Sequence, residues 1–172
     1  EKDWILCTPS VVSAIYVAIK AFAKENEGVI TFTPVYFPFY SSITSNNRKL
    51  VDCGLVESKN ENGEVKYSID FEKFENEIAN NDVKLYIHCS PHNPVGRVWT
   101  LEEQKRVFEI CEKHNVLVLS DEIHQDFTYD KNKQISALSL ENGKYNSRLI
   151  VANSGSKTFN LASLVHATLL IP

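Results

Sequence analysis

Apolar residues fall along this chain in two rhythms. In one they run almost without interruption: VITF at 29–32, VKLYIHCS at 83–90, VLVLSDEI at 116–123, RLIVANS at 148–154 and ATLLI at 167–171. Short, continuous apolar runs of this kind are strands covered on both faces. In the other rhythm apolar residues recur every three or four positions. Val11, Val12, Ile15, Ile19 and Phe22 make such a stripe, as do Phe71, Phe74 and Ile78, and Val107, Phe108, Ile110 and Cys111. That spacing lines one face of a helix.

Polar punctuation sets the expected boundaries. Thr8 is suited to cap the first helix with Pro9 at its first turn, and Gly28 to close it. Residues 37–47 are expected to form a helix with a polar outer face. KLVDCGLV at 49–56 and VKYSI at 65–69 are expected as strands around the polar loop KNENGE. Asp70 precedes the helix of Phe71, and Thr100-Leu101-Glu102-Glu103 has the form of a capping box.

Strands alternate with helices over the whole length. The expected fold class is therefore α/β, a mostly parallel sheet sandwiched by helices. No repeat, low-complexity stretch or interdomain linker interrupts residues 1–172, which read as one domain. Sheets of this kind bind ligands beyond the carboxyl ends of their strands. Four polar clusters sit at such ends: Thr33-Pro34-Val35-Tyr36, Ser90-Pro91-His92-Asn93, Asp121-Glu122 and Ser154-Gly155-Ser156-Lys157. Their convergence on one edge is the first indication of a single site.

Composition narrows the partners. A formal net charge of −4 argues against a nucleic-acid or anionic-membrane surface. No apolar run approaches the roughly 20 residues of a membrane helix, and EKDWILCTPS lacks the blocks of a signal peptide. Cys7, Cys53, Cys89 and Cys111 are scattered without a CxxC pair, as expected of reduced thiols in a cytoplasmic protein. The chain contains no Met and stops within the apolar run Leu169-Leu170-Ile171-Pro172, which is read as a partial chain or an edge strand.

The clusters carry specific chemistry. Lys157, in a loop after a strand, can lose its proton in a partly buried pocket and attack an aldehyde; a surface lysine in a turn is the ordinary alternative. Asp121 closes an apolar strand and needs a partner there. A pyridinium N–H would serve, and so would a neighbouring helix end. Asn93 can donate to a ring oxygen or merely form its turn. Tyr36 can stack on a flat cofactor or pack on its neighbours. The start of the first helix, at Ser10 and Val11, offers amides to an anion, and Ser154 and Ser156 offer hydroxyls. A metal site is not expected: Pro91 and Pro94 prevent a helix through His88 and His92. A G-x-S-x-G elbow is absent from the sequence.

Taken in order, Thr-Pro-Val-Tyr36, Ser-Pro-His-Asn93-Pro-Val-Gly96, Ser-Asp121-Glu-Ile-His124 and Ser154-Gly-Ser156-Lys157-Thr-Phe-Asn-Leu-Ala resemble the fold-type I pyridoxal-5′-phosphate (PLP) enzymes of the aminotransferase class I/II superfamily. The spacings match too, with 28 residues from Asn93 to Asp121 and 36 from Asp121 to Lys157. Pro-His-Asn-Pro-Val-Gly-Arg-Val-Trp-Thr, Asp-Glu-Ile-His and Ser-Lys-Thr-Phe-Asn-Leu-Ala are similar to the MalY/PatB-type cystathionine β-lyase branch. There His124 stands where typical aminotransferases carry tyrosine.

The resemblance implies a role for each residue. Lys157 holds PLP as a Schiff base and shuttles the α-proton, and Asp121 pairs with the pyridine nitrogen. Asn93 and His124 address the ring hydroxyl, and Tyr36 stacks on the ring. Ser154, Ser156, Ser10 and Val11 hold the phosphate. Three departures stand out: Ser10 replaces the usual Gly, Ala162-Ser163 replaces Ala-Gly, and the phosphate-binding arginine after the lysine is missing, which tilts toward the lyases. Family members are about twice as long and have a small domain that grips the substrate carboxylate, so residues 1–172 are expected to be the large, PLP-binding domain of such a protein. The implied activity is β-elimination from a small sulfur amino acid such as cystathionine, in a homodimer. Transamination is the close alternative, and a non-catalytic PLP-binding or regulatory module is the alternative of another class.

Overall fold

A computed structural model of the chain describes residues 1–129 and 131–172. Its elements are β1 (Ile5–Thr8), α1 (Val11–Phe22), β2 (Gly28–Thr33), α2 (Pro38–Thr44), β3 (Lys49–Gly54), β4 (Val56–Lys59), β5 (Val65–Ser68), α3 (Phe71–Asn80), β6 (Val83–Cys89), α4 (Leu101–Lys113), β7 (Leu117–Asp121), β8 (Leu149–Asn153) and β9 (Ala167–Leu170). Seven strands form one sheet in the order β1-β9-β8-β7-β6-β2-β3. The five from β3 to β8 are mutually parallel, and β9 lies antiparallel between β8 and β1. The fold is α/β, as the alternation of apolar runs predicts.

Two cores flank the sheet. One face packs on α1 and α2 through Ile15, Ile19, Phe39, Leu85, Ile87, Leu119 and Ile150. The other packs on α3 and α4 through Phe32, Phe74, Tyr86, Phe108, Val118 and Val151. The period-2 alternation of each strand assigns neighbouring residues to opposite cores. The central strands are apolar throughout because both of these faces are covered. Phe32 packs on Phe74 and Tyr86 at centroid distances of 4.9 and 5.4 Å, giving the second core an aromatic centre. Among the described residues no helix is long and apolar enough to cross a membrane.

Several expected boundaries are corrected. Ser10, not Thr8, caps α1, accepting the Ser13 amide at 3.0 Å while Ser13 Oγ accepts the Ser10 amide at 3.1 Å. Thr8 is still within β1, paired with Ala167, so the chain turns only two residues later. Pro9 therefore lies outside the helix. α1 ends at Phe22, and Gly28 opens β2 instead of closing the helix. α2 is shorter than the expected 37–47, ending at Thr44 ahead of Asn47, whose φ of 58° is left-handed. The run 49–56 splits because β2 ends at Thr33, opposite Gly54, leaving β3 no partner beyond that point. β4 then leaves the sheet and forms a two-stranded ribbon with β5. β1 is an additional strand that the apolar pattern does not reveal.

Gly28 is required by close approach. A Cβ there would sit 2.5 Å from the Asn81 carbonyl oxygen and 3.0 Å from a Val83 methyl. Gly28→Ala is therefore expected to destabilise the fold by about 1–3 kcal/mol, because backbone must move to admit the methyl. Urea denaturation of the two proteins measures the difference.

Candidate active site

The register of the sheet brings the polar clusters to one edge. Cys89 on β6 lies beside Asp121 on β7, and Asp121 beside Ala152 on β8. Across the antiparallel β9, Asn153 is level with Thr168 and Thr8 with Ala167, so β1 and β8 end at the same edge. Whatever follows β1, β2, β6, β7 and β8 is thereby delivered to a common place. Ser10 and Val11 follow β1, Tyr36 follows β2, Asn93 follows β6, Asp121 and His124 close and follow β7, and Ser154, Ser156 and Lys157 follow β8. All nine line one cavity of about 230 Å³.

The start of α1 forms one wall. A helix leaves its first amides without intrahelical partners. The Ser13 amide is taken by Ser10 Oγ and the Ala14 amide by the Ser10 carbonyl at 3.0 Å. The amides of Val11 and Val12 have no acceptor among the described residues, and both residues line the cavity. Two free N–H groups on the positive end of a twelve-residue helix suit an anion. Opposite them the loop after β8 is organised by Ser154. Its hydroxyl donates to the His166 carbonyl at 2.6 Å and accepts the Ser156 amide at 3.1 Å. The one proton of Ser154 is thus committed within the loop, leaving Ser156 as the freer hydroxyl.

Asp121 is only 5% exposed and has no cation within ion-pair distance among the described residues. Its Oδ1 accepts the Ile123 amide at 3.1 Å. Burial pushes its carboxyl up to about 7, opposed by that hydrogen bond, reinforced by the neighbouring Glu122 charge and again opposed by the positive charge of Lys157. Lys157 itself is exposed at the cavity mouth. Its charge also acts on His124, whose imidazole is held below its usual range first by partial burial and then by Lys157. The cavity thus sets the Lys157 side chain and the buried Asp121 carboxyl in each other's field, with the His124 imidazole lining the same space.

Asn93 is half-buried, with its amide N–H directed at Cys89 Sγ at 3.4 Å and no side-chain hydrogen bond among the described residues. Tyr36 is half-buried at the rim, 5.5 Å from the Phe37 ring and 6.1 Å from that of Phe39. His88 and His92 take no part in the cavity. His88 faces the second core, sharing a 2.8 Å hydrogen bond with Tyr86 and packing on Phe108. Burial drives its imidazole down to about 3. His92 donates from Nε2 to the Pro34 carbonyl at 2.9 Å and packs on Trp99. Among the described residues no three His, Cys, Asp or Glu side chains gather in a metal-binding group.

The cavity also contains residues outside the quoted motifs: Cys89, Val12, Val165 and His166. Cys89 was within reach of sequence reasoning. Strand alternation gives Cys89 the parity of Leu85 and Ile87, and Asp121 that of Leu119, all on the α1 side of the sheet. His166 and Val165 come from a loop with no periodicity, where Val165 is left-handed at a φ of 47°.

Comparison with known proteins gives a consistent result. A family model described as Aminotransferase class I and II matches residues 1–167. The chain is 36% identical to cystathionine beta-lyase PatB of Bacillus subtilis over 172 residues, which is 100% of this chain and 43% of PatB. It is 34% identical to protein MalY of Escherichia coli over 97% of this chain and 40% of MalY. A crystal structure of a PLP-bound putative aminotransferase from Clostridium difficile superposes with a TM-score of 0.91 at 41% identity, covering 100% of this chain and 43% of the other. The chain thus spans about two fifths of the length of the proteins it matches.

Proposed function

This chain belongs to the aminotransferase class I and II family, and from that premise we propose that residues 1–172 are the PLP-binding large domain of a C–S β-lyase. The reaction is α,β-elimination from a sulfur amino acid such as cystathionine, giving pyruvate, ammonia and a thiol. The observation that carries the reading is the buried Asp121 carboxyl, without an ion-pair partner among the described residues, sharing a cavity with the Lys157 amine.

The residues present suit PLP. Lys157 supplies the amine that binds its aldehyde. Asp121 supplies an anion for the ring N–H, and a carboxyl lifted to about 7 by burial regains its charge once a cation lies against it. The Val11 and Val12 amides and the Ser156 hydroxyl take the phosphate, with Ser10 capping the helix and Ser154 fixing the loop. Asn93 would donate to the ring hydroxyl from its side-chain amide, His124 would address the same oxygen through its imidazole, and Tyr36 would cover the ring. When bound, PLP supplies an electron-accepting ring that stabilises negative charge at the substrate's α-carbon. Lys157 Nζ would take the α-proton and pass it to the departing sulfur, which leaves as the thiol.

The exposed apolar residues Phe37, Phe159, Leu164 and Val165 lie on the segments that build the cavity and support assembly as a homodimer. The free thiols Cys7, Cys53, Cys89 and Cys111 support a cytoplasmic location.

Transamination uses the same residues, and it is favoured by the putative aminotransferase in the C. difficile comparison. The two reactions separate by product. The full chain with cystathionine is expected to release pyruvate and ammonia. Exchange of the amino group onto an added 2-oxo acid without free ammonia selects transamination. Absence of both products, with a cofactor band present, selects the non-catalytic binding module.

A further inference from the structure

A half-buried polar clamp outside the cavity joins the two loops that carry Asn93 and His124. Gln134 lies ten residues beyond His124 in the long connection after β7. Its amide nitrogen donates to the Ser90 carbonyl at 3.1 Å and to Ser90 Oγ at 2.9 Å, and Ser90 Oγ donates to Gln134 Oε1 at 3.1 Å. Ser90 is fully buried, and it is the first residue of the turn that presents Asn93. Its own amide is bound to the Asp121 carbonyl at 2.9 Å.

The segment around Gln134 is itself pinned. Gln104 Nε2 donates to the Ile135 carbonyl at 3.3 Å, and Glu122 Oε1 accepts the Ala137 amide at 2.8 Å and the Ser120 hydroxyl at 3.1 Å. Glu122 is 1% exposed, so this end of the loop is held by a buried carboxylate with two donors. The far end of the His124 loop is therefore fixed to β7 and, through Gln134, to the end of β6. Gln134, Ser90, Gln104 and Glu122 do not line the Lys157 cavity.

We propose that Gln134 is a positioning residue: through its amide clamp on Ser90 it holds the turn carrying Asn93 in register with the loop carrying His124. Two donors and one acceptor on a single side chain fix both distance and orientation, which a single bond or an apolar contact does not. The proposal rests on the functional reading only where it says what Asn93 and His124 address. The clamp itself is a property of the protein without cofactor.

The test uses the full chain and two variants, Gln134→Glu, near-isosteric but without the donors, and Gln134→Leu. Lys133→Ala, at the exposed neighbouring position, is the control. In the cofactor-free protein, hydrogen exchange at the His92 and Gly96 amides, which bond to the Arg97 and His92 carbonyls at 2.8 Å, is expected to speed up about tenfold. Exchange in β2 and β8 should stay as in wild type. In the PLP-loaded protein the pH midpoint of the visible absorption band is expected to rise by about one unit, because a ring oxygen that loses the Asn93 donor holds its proton more tightly. Unchanged turn exchange in both variants overturns the proposal. So does loss of protection throughout the sheet, because the amide would then hold the fold and not the turn. If the wild-type protein develops no visible band with PLP, the functional reading fails and the exchange measurement still decides the clamp.

Discussion

Replacing Lys157 with alanine is expected to lower turnover by at least about a thousandfold while leaving the stability of the cofactor-free protein within about 0.5 kcal/mol of wild type. The separation of the two effects follows from where the residue sits. Lys157 is exposed at the mouth of the cavity and makes no ion pair among the described residues. Truncating it leaves no void in either core. Chemically, nothing replaces it, since among the described residues no second lysine lines the cavity. Borohydride treatment of the PLP-loaded wild-type chain should fix the cofactor's mass on the peptide bearing Lys157. The variant should show no such adduct. A variant that still releases pyruvate from cystathionine at the wild-type rate would remove Lys157 from the reaction.

Asp121→Asn, by contrast, is expected to raise the stability of the cofactor-free protein while also lowering activity. The sign follows from the direction of the shift. Asp121 has an ordinary carboxyl value of 3.8 and is raised to about 7 in the fold, so the folded protein favours the protonated form. The favourable contribution is fully present below about pH 4. It is lost as pH rises toward 7, when the buried group must ionise. Three pH units correspond to about 4 kcal/mol. Without cofactor, Asp121→Asn should therefore be more stable than wild type at pH 8 by up to about 4 kcal/mol, and the gap should close by pH 4. Asn keeps an acceptor for the Ile123 amide, so the comparison isolates the charge.

Adding PLP should reverse the order. With PLP bound, Asp121 would gain a cationic partner, and the wild type should gain stability that the asparagine variant lacks. Turnover in the variant is expected to fall about a hundredfold or more, because the ring nitrogen loses the anion that keeps it protonated. Urea denaturation at pH 4 and pH 8, with and without PLP, gives all four comparisons. Parallel pH profiles for the two cofactor-free proteins would show that Asp121 is not the strained group.

These two residues sit where local pattern and long-range pairing meet, and they show how far each reaches. The continuous apolar runs at 83–90, 116–123 and 148–154 were enough to give buried parallel strands. The Thr100–Glu103 pattern was enough to give the capped start of α4, because a capping box closes within four residues. The order and spacing of Tyr36, Asn93, Asp121 and Lys157 also suffice to bring them to one edge once the strands are parallel, since every such strand delivers its following loop to the same end.

What the sequence does not contain is the part decided by distant partners. β1 is short and exposed, and becomes a strand only through β9, more than 150 residues away. Whether Gly54 ends a strand depends on where β2 stops, a fact of another segment. Gln134 lies 44 residues from the Ser90 it clamps, in a connection without periodicity. Hydrophobic period and capping are written in neighbouring residues and can be read there. A hydrogen bond across the sheet, or the charge state of Asp121, depends on burial that exists only after the layers have closed.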